Sequence, residues 1–123
     1  MRASALIRLA FLALLLAVAG CSRFGKKGDV TETLPLDQLY AQAKEALQHG
    51  NLGRAEHYYE RLIARFPFGP YTEQSQLELA YAQYKDRKEE EAYSTVNRFI
   101  KTYPTHKHVD YAYYLRGLIN FNR

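Results

Sequence analysis

The chain has 123 residues, 47% of them hydrophobic and 24% charged, with a formal net charge of +4. Such a length allows one domain, and a weak positive charge without a run of basic residues argues against nucleic acid as the main partner. A single cysteine leaves no second thiol for a disulfide within the chain.

At the start, Arg2 and Arg8 precede an apolar run over residues 9–19. Those eleven residues are too few for a membrane-spanning helix, which needs roughly 20. A positive segment, a short apolar one and small residues before a break predict a secretory signal over residues 1–20. The stretch Val18-Ala19-Gly20-Cys21 resembles a bacterial lipobox. Small side chains suit the signal peptidase, and a thiol suits a thioether to diacylglycerol. Cys21 is therefore the expected lipidation site; the alternative is an ordinary buried cysteine. Several acyl chains hold a protein firmly on a bilayer, since each buried CH₂ contributes about 0.8 kcal/mol. No cofactor beyond this covalent lipid is expected. Ser22, standing where an aspartate favours retention at the inner membrane, predicts by resemblance to Gram-negative lipoproteins an outer-membrane anchor. The folded part would then face the periplasm. Loss of residues 1–20 removes Arg2 and Arg8 and lowers the charge from +4 to +2. Residues 21–34 carry Gly25, Gly28, Arg23, Lys26 and Lys27 and read as a flexible lipidated tether. Its basic residues either touch anionic lipid or are a solvated linker.

From residue 35 to residue 123 the pattern is helical. Leu36, Leu39, Tyr40, Ala43, Ala46 and Leu47 recur at helical spacing, and Gly50 suits the left-handed stop that follows. Asn51 caps a second helix with the stripe Leu52, Ala55, Tyr59, Leu62, Ile63 and Phe66. Pro67 ends it, because its ring and missing N–H do not fit a helix interior, and Gly69-Pro70 adds a turn. A third helix over residues 72–85 carries Leu77, Ala80, Tyr81 and Tyr84, with Leu79 and Ala82 on a second face. Two apolar faces predict a helix sandwiched between neighbours. A fourth runs from about Lys88 with Ala92, Val96, Phe99, Ile100 and Tyr103, its acidic start being a solvated face. A fifth begins near His108. No segment alternates as a strand would.

The punctuation repeats. Pro67 and Pro104 are 37 positions apart, as are Ala55 and Ala92, and Ala43 and Ala80; Gly117 stands 37 beyond Ala80. Within each unit the steps from Ala43 to Ala55 to Pro67, and from Ala80 to Ala92 to Pro104, are all 12. A small residue on each of two helices and a closing proline describe a closely crossing helical hairpin. This resembles the tetratricopeptide repeat, whose period is about 34 residues, with the excess in the longer inter-repeat turn. The large aromatic usual early in the first helix is replaced by Leu39 and then Gln76. The expected fold is an all-α solenoid: two full repeats and the first helix of a third. An unpaired first helix leaves an apolar face open, so the natural protein is expected to continue past Arg123.

No catalytic constellation is legible. There is no Gly-rich phosphate loop and no nucleophile with a histidine at a telling spacing. His106-x-His108 is the nearest approach to a metal pair, but without a third ligand it reads as a solvated turn. The notable feature is eleven tyrosines and six phenylalanines without tryptophan. Tyr40, Tyr81, Tyr84, Tyr111, Tyr114 and Phe121 fall on first helices, which line the concave surface of a tetratricopeptide array. Tyrosine pairs a rigid apolar face with a hydroxyl that can stay wet, which suits peptide capture. The candidate peptide-binding residues are Tyr40, Lys44, Tyr81, Tyr84, Lys85 and Tyr114, the lysines meeting a carboxylate. The same tyrosines read equally well as inter-repeat core.

A lipobox and short tether followed by YAQAKEALQHGN, RFPFGPY, LELAYAQYK and PTHKHVDYAYYLRGL resemble the BamD family, the tetratricopeptide lipoproteins of the outer-membrane β-barrel assembly machinery. The resemblance implies a non-enzymatic five-repeat scaffold, of which this chain holds two repeats and a helix. It implies as partners the BamA-like barrel subunit, accessory lipoproteins and unfolded outer-membrane proteins, whose targeting signals are associated with the family's amino-terminal repeats. Only Cys21 carries over as a functional residue. The rival expectation is a structural or division-associated lipoprotein of the cell envelope that uses the same repeats to oligomerise.

Overall fold

The computed structural model describes residues 4–8, 10 and 28–123, of which 4–8 and 10 are helical. Cys21, its lipobox and the first part of the expected tether lie outside the described residues. From residue 36 the chain forms α1 (Leu36–Gln48), α2 (Leu52–Arg65), α3 (Thr72–Lys85), α4 (Glu89–Thr102) and α5 (Val109–Asn122). No strand occurs among the described residues. Successive helices pack on one another, α1 on α2, α2 on α3, α3 on α4 and α4 on α5, and α3 also touches α5. This is the expected pair of hairpins followed by a first helix.

The turns follow from backbone chemistry. After α1, Gly50 takes φ 73°, where a Cβ is strained. Its N–H donates to the Leu47 carbonyl at 3.1 Å, and that of Asn51 to the Ala46 carbonyl at 2.9 Å, satisfying carbonyls that the helix end leaves open. The Asn51 side chain accepts from the Arg54 N–H at 3.3 Å and so caps α2, as its position predicts. The backbone turn recurs one repeat later with Arg87 at φ 64° in the glycine's place, but Lys88, at the position of Asn51, makes no side-chain cap. Between α2 and α3 the Thr72 hydroxyl donates to the Phe66 carbonyl and accepts from the Gly69 N–H. A Cβ at Gly69 would lie 3.2 Å from the Phe66 Cβ and 3.3 Å from Leu36, so a side chain there would have to push these neighbours back by a few tenths of an ångström.

Helix α3 divides the interior as its two apolar faces predict. Leu79 and Ala82 join Leu39, Ala43, Ala55, Tyr58, Tyr59 and Leu62 in a first core. Leu77 and Ala80 join Ala92, Val96, Phe99, Ala112, Leu115 and Ile119 in a second. Ala43, Ala55, Ala80 and Ala92 are fully buried, so the 12-residue steps do mark the helix crossings. The repeats are also tied outside the cores. Glu56 on α2 accepts from the Lys88 ammonium at 2.7 Å. Burial pushes the Glu56 carboxyl up against the opposing pull of Lys88, while the hydrogen bond to Glu56 pushes the Lys88 ammonium up.

The last residues of the stretch read as tether are fixed on α2. Val30–Glu32 form a 3₁₀ turn capped by Asp29, whose carboxylate accepts from the Thr31 N–H at 2.9 Å and hydroxyl at 2.7 Å. His57, Arg61 and Arg65 make one stripe along α2. His57 meets Asp29 at 2.5 Å, Arg61 meets Glu32 at 3.3 Å, and Arg65 donates to the carbonyls of Thr31 and Leu34 at 2.8 and 2.7 Å. Thr31 is buried and Leu34 packs on the first core. Composition alone reads this segment as solvated; the α2 stripe that holds it lies some thirty residues away along the chain.

Candidate functional site

The sequence places six candidate residues on first helices, and the structure sorts them into two groups. Tyr40, on α1, stacks on Tyr71 with centroids 4.5 Å apart and planes 10° from parallel. It meets the buried Tyr59 edge-on at 6.4 Å, and the Lys44 Nζ lies 5.6 Å from its ring. The Tyr40 hydroxyl donates to Glu78 Oε1 at 3.1 Å, and that of Tyr59 donates to Oε2 at 2.6 Å. The Gln74 amide adds a third donor at 3.1 Å. Glu78 is thus a hub whose charge is shared among three side chains of α1, α2 and α3. Burial, then the adjacent Glu78 carboxylate, push the Tyr40 phenol well above its usual range; burial and the hydrogen bond to Glu78 do the same for Tyr59. Both remain donors at neutral pH.

These residues open onto a cleft of about 430 Å³. Tyr40, Lys44, Tyr71 and Glu78 line one part, and His106, Lys107 and His108 of the next inter-repeat turn line another. Apolar rings, two lysines, two histidines and two carboxylates, Glu73 and the engaged Glu78, meet there. That arrangement can hold an aromatic side chain and a carboxylate, and it holds no nucleophile–base pair. No group of three potential ligands able to hold a metal occurs among the described residues. His106 is instead packed edge-on against Phe99 at 5.1 Å, with Glu73 at 3.8 Å.

Tyr81, Tyr84 and Tyr114 do not join this cleft. Tyr81 and Tyr84 are half-buried against the second core, and the Tyr84 hydroxyl accepts from Asn122 at 3.1 Å. Tyr114 is 62% exposed, with its ring 6.3 Å from that of Tyr111. Burial, and after it Tyr81, Tyr114 and Tyr84, raise the Tyr111 phenol. Lys85 is exposed at the end of α3. Of the six candidates, Tyr40 and Lys44 line the cleft, whereas Tyr81, Tyr84, Lys85 and Tyr114 do not. Tyr81 and Tyr84 each pack on the second core and keep part of the ring accessible.

Sequence reasoning missed Tyr71, Glu78, Lys107 and His108 as cleft residues. Tyr71 closes the RFPFGPY turn, and His108 stands 37 positions later in the equivalent turn. The period itself therefore carried the signal: turn residues of successive repeats lie on one side. Glu78 carried none, being an acid on an exposed-looking helix face.

Comparison with known proteins gives a consistent picture. The profile of the family YfiO, described as outer membrane lipoprotein, matches residues 32–123. Outer membrane protein assembly factor BamD of Xylella fastidiosa (strain 9a5c) is 49% identical over 116 residues, covering 91% of this chain and 39% of the relative. That of Neisseria meningitidis serogroup B (strain MC58) is 41% identical over 110 residues, covering 87% and 41%. That of Vibrio cholerae is 42% identical over 99 residues, covering 80% and 40%. The chain spans about 40% of the length of these curated relatives. Among the described residues no helix is long and apolar enough to cross a membrane. By profile and by identity, this chain belongs to the outer membrane lipoprotein family YfiO.

Proposed function

We propose that the chain works as a lipid-anchored, non-enzymatic scaffold of β-barrel assembly at the periplasmic face of the outer membrane, with its Tyr40 cleft receiving aromatic carboxy-terminal segments of unfolded outer-membrane proteins. The observation that carries this reading is the cleft itself. Stacked Tyr40 and Tyr71 offer a flat apolar wall, with the Tyr40 hydroxyl held by Glu78. Lys44 and Lys107 supply positive charge at the same opening, where a terminal carboxylate would sit beside a buried ring. Glu78, held by three donors, orients the wall and meets none of the incoming charge directly. Family membership supports the assembly context, because the relatives bear the name of an assembly factor. Cys21 would carry the lipid anchor, and the barrel subunit and accessory lipoproteins would be the partners.

Affinity purification through the membrane-anchored protein tests the context. Barrel-assembly subunits are expected to co-purify, and Cys21→Ser is expected to yield an unprocessed or soluble periplasmic form without fatty-acid label. Recovery of wall-associated proteins alone would instead support a structural role in the envelope. Normal fatty-acid labelling of Cys21→Ser would overturn the anchor.

A further inference from the structure

A second cleft, of about 240 Å³, lies between the second helices of the two hairpins. Glu60 and Ile63 of α2, Gln76, Leu79 and Gln83 of α3, and Thr95 and Arg98 of α4 surround it, and it shares no residue with the Tyr40 cleft. Gln83 is only 5% exposed, and its amide oxygen has no hydrogen-bond partner; the amide oxygen of Gln76 is in the same state. A buried acceptor left unmatched costs a fold more than a matched one contributes. Both of these belong to side chains that line one cleft, so a small turn of either amide would offer them to a donor there.

The internal repeat says what shape that donor has. Subtracting the 37-residue period maps Gln76 onto Leu39, Gln83 onto Ala46 and Thr95 onto Tyr58. In the first repeat Tyr58 is 4% exposed and packed into the first core beside Leu39 and Ala46. The second repeat puts a short Thr95 where a tyrosine ring stood and replaces its two apolar neighbours by hydrogen-bond acceptors. We propose that this cleft receives an aromatic side chain carrying its own donor, a tyrosine or tryptophan presented by a partner polypeptide, with the ring between Ile63 and Leu79 and the O–H or N–H directed to Gln76 and Gln83. Glu60 and Arg98 flank the ring and give the surrounding peptide charges of both signs to meet. The surface is formed by α2, α3 and α4, so it can be occupied while the Tyr40 cleft holds another ligand.

The side-chain analogues p-cresol, 3-methylindole and toluene test this on the full chain, followed by NMR of the side-chain amides. The two donors are expected to shift the Gln76 and Gln83 amides saturably, and toluene to bind at least fivefold more weakly. Thr95→Tyr, which restores the first repeat's ring, is expected to abolish the response. Should that variant fail to fold, Gln83→Met keeps the volume and removes the acceptor, and is expected to weaken p-cresol at least fivefold without changing toluene. Equal binding of all three compounds, shifts confined to other residues, or no response above solvent would overturn the proposal; the last would mean that water alone satisfies the two oxygens.

Discussion

Repeats one and two share a backbone plan and differ inside it. Repeat one fills its hairpin with Leu39, Ala46 and Tyr58, ends its first helix on Gly50, and is covered at the outer side of α2 by the strap from Asp29 to Leu34. Repeat two has Gln76, Gln83, Thr95 and Arg87 at the corresponding places, with two amide oxygens unpaired and a non-glycine residue at positive φ. The difference teaches that the alanines and prolines, which repeat one keeps and repeat two copies, set the architecture. The positions between them are where a repeat gives up stability, and such concessions in a natural sequence tend to accompany binding surfaces.

The shared part is the easiest to break. Ala55→Leu and Ala92→Leu each force a larger side chain into a fully buried helix crossing, and each is expected to destabilise by about 1–3 kcal/mol. Thermal or denaturant unfolding measures this; wild-type melting temperatures in both would remove the close crossing from the account. The differing positions should respond in the opposite sense. Gln76→Leu writes repeat one's residue into repeat two and removes an unpaired acceptor, at the loss of a weak 3.4 Å contact to the Tyr103 hydroxyl. A gain of about 1 kcal/mol is expected, seen as a higher denaturant midpoint at unchanged slope. Arg87→Gly relieves the positive-φ strain that Gly50 avoids and should gain about 0.5–1 kcal/mol, whereas Gly50→Ala should lose a similar amount.

The smallest expected effect concerns the strap and depends on pH. Hydrogen bonds from the Thr31 hydroxyl and amide, with a lesser contribution from His57, hold the Asp29 carboxyl at about 2, below its ordinary 3.8. A depressed carboxyl favours the folded strap above the ordinary value, and that contribution is lost as pH falls from about 4 toward 2. Amide exchange at Thr31 should accelerate across that window before the helices melt. Exchange independent of pH in excess of the intrinsic chemical rate would detach the strap from Asp29.

Helix positions, turn residues and the two-faced α3 were legible because each rests on local rules: apolar periodicity, proline exclusion, the left-handed stop at Gly50 and the Asn51 cap. The predicted third helix over residues 72–85 coincides with α3. Only part of the cleft was legible, since Tyr40 and Lys44 lie four residues apart on one helix and share a face. Its remainder, Tyr71, Glu78 and Lys107, comes from α3 and two turns, and no local rule says that an acid at residue 78 will collect hydroxyls from residues 40 and 59. The strap is illegible in the sequence for the same reason. Its partners His57, Arg61 and Arg65 look like an ordinary solvated stripe until the chain folds back on them.

Peptide affinity in the Tyr40 cleft tests the central claim most directly. A labelled peptide ending in an aromatic residue with a free carboxylate is titrated into the protein and into Tyr71→Ala, whose ring stacks on Tyr40 without taking part in either core. Truncating a central aromatic anchor commonly costs about 2 kcal/mol or more, so affinity is expected to fall at least tenfold with helicity unchanged. Lys44→Ala should lower affinity only for the free carboxylate and not for the amidated peptide. Unchanged affinity in Tyr71→Ala with the fold intact would contradict the account.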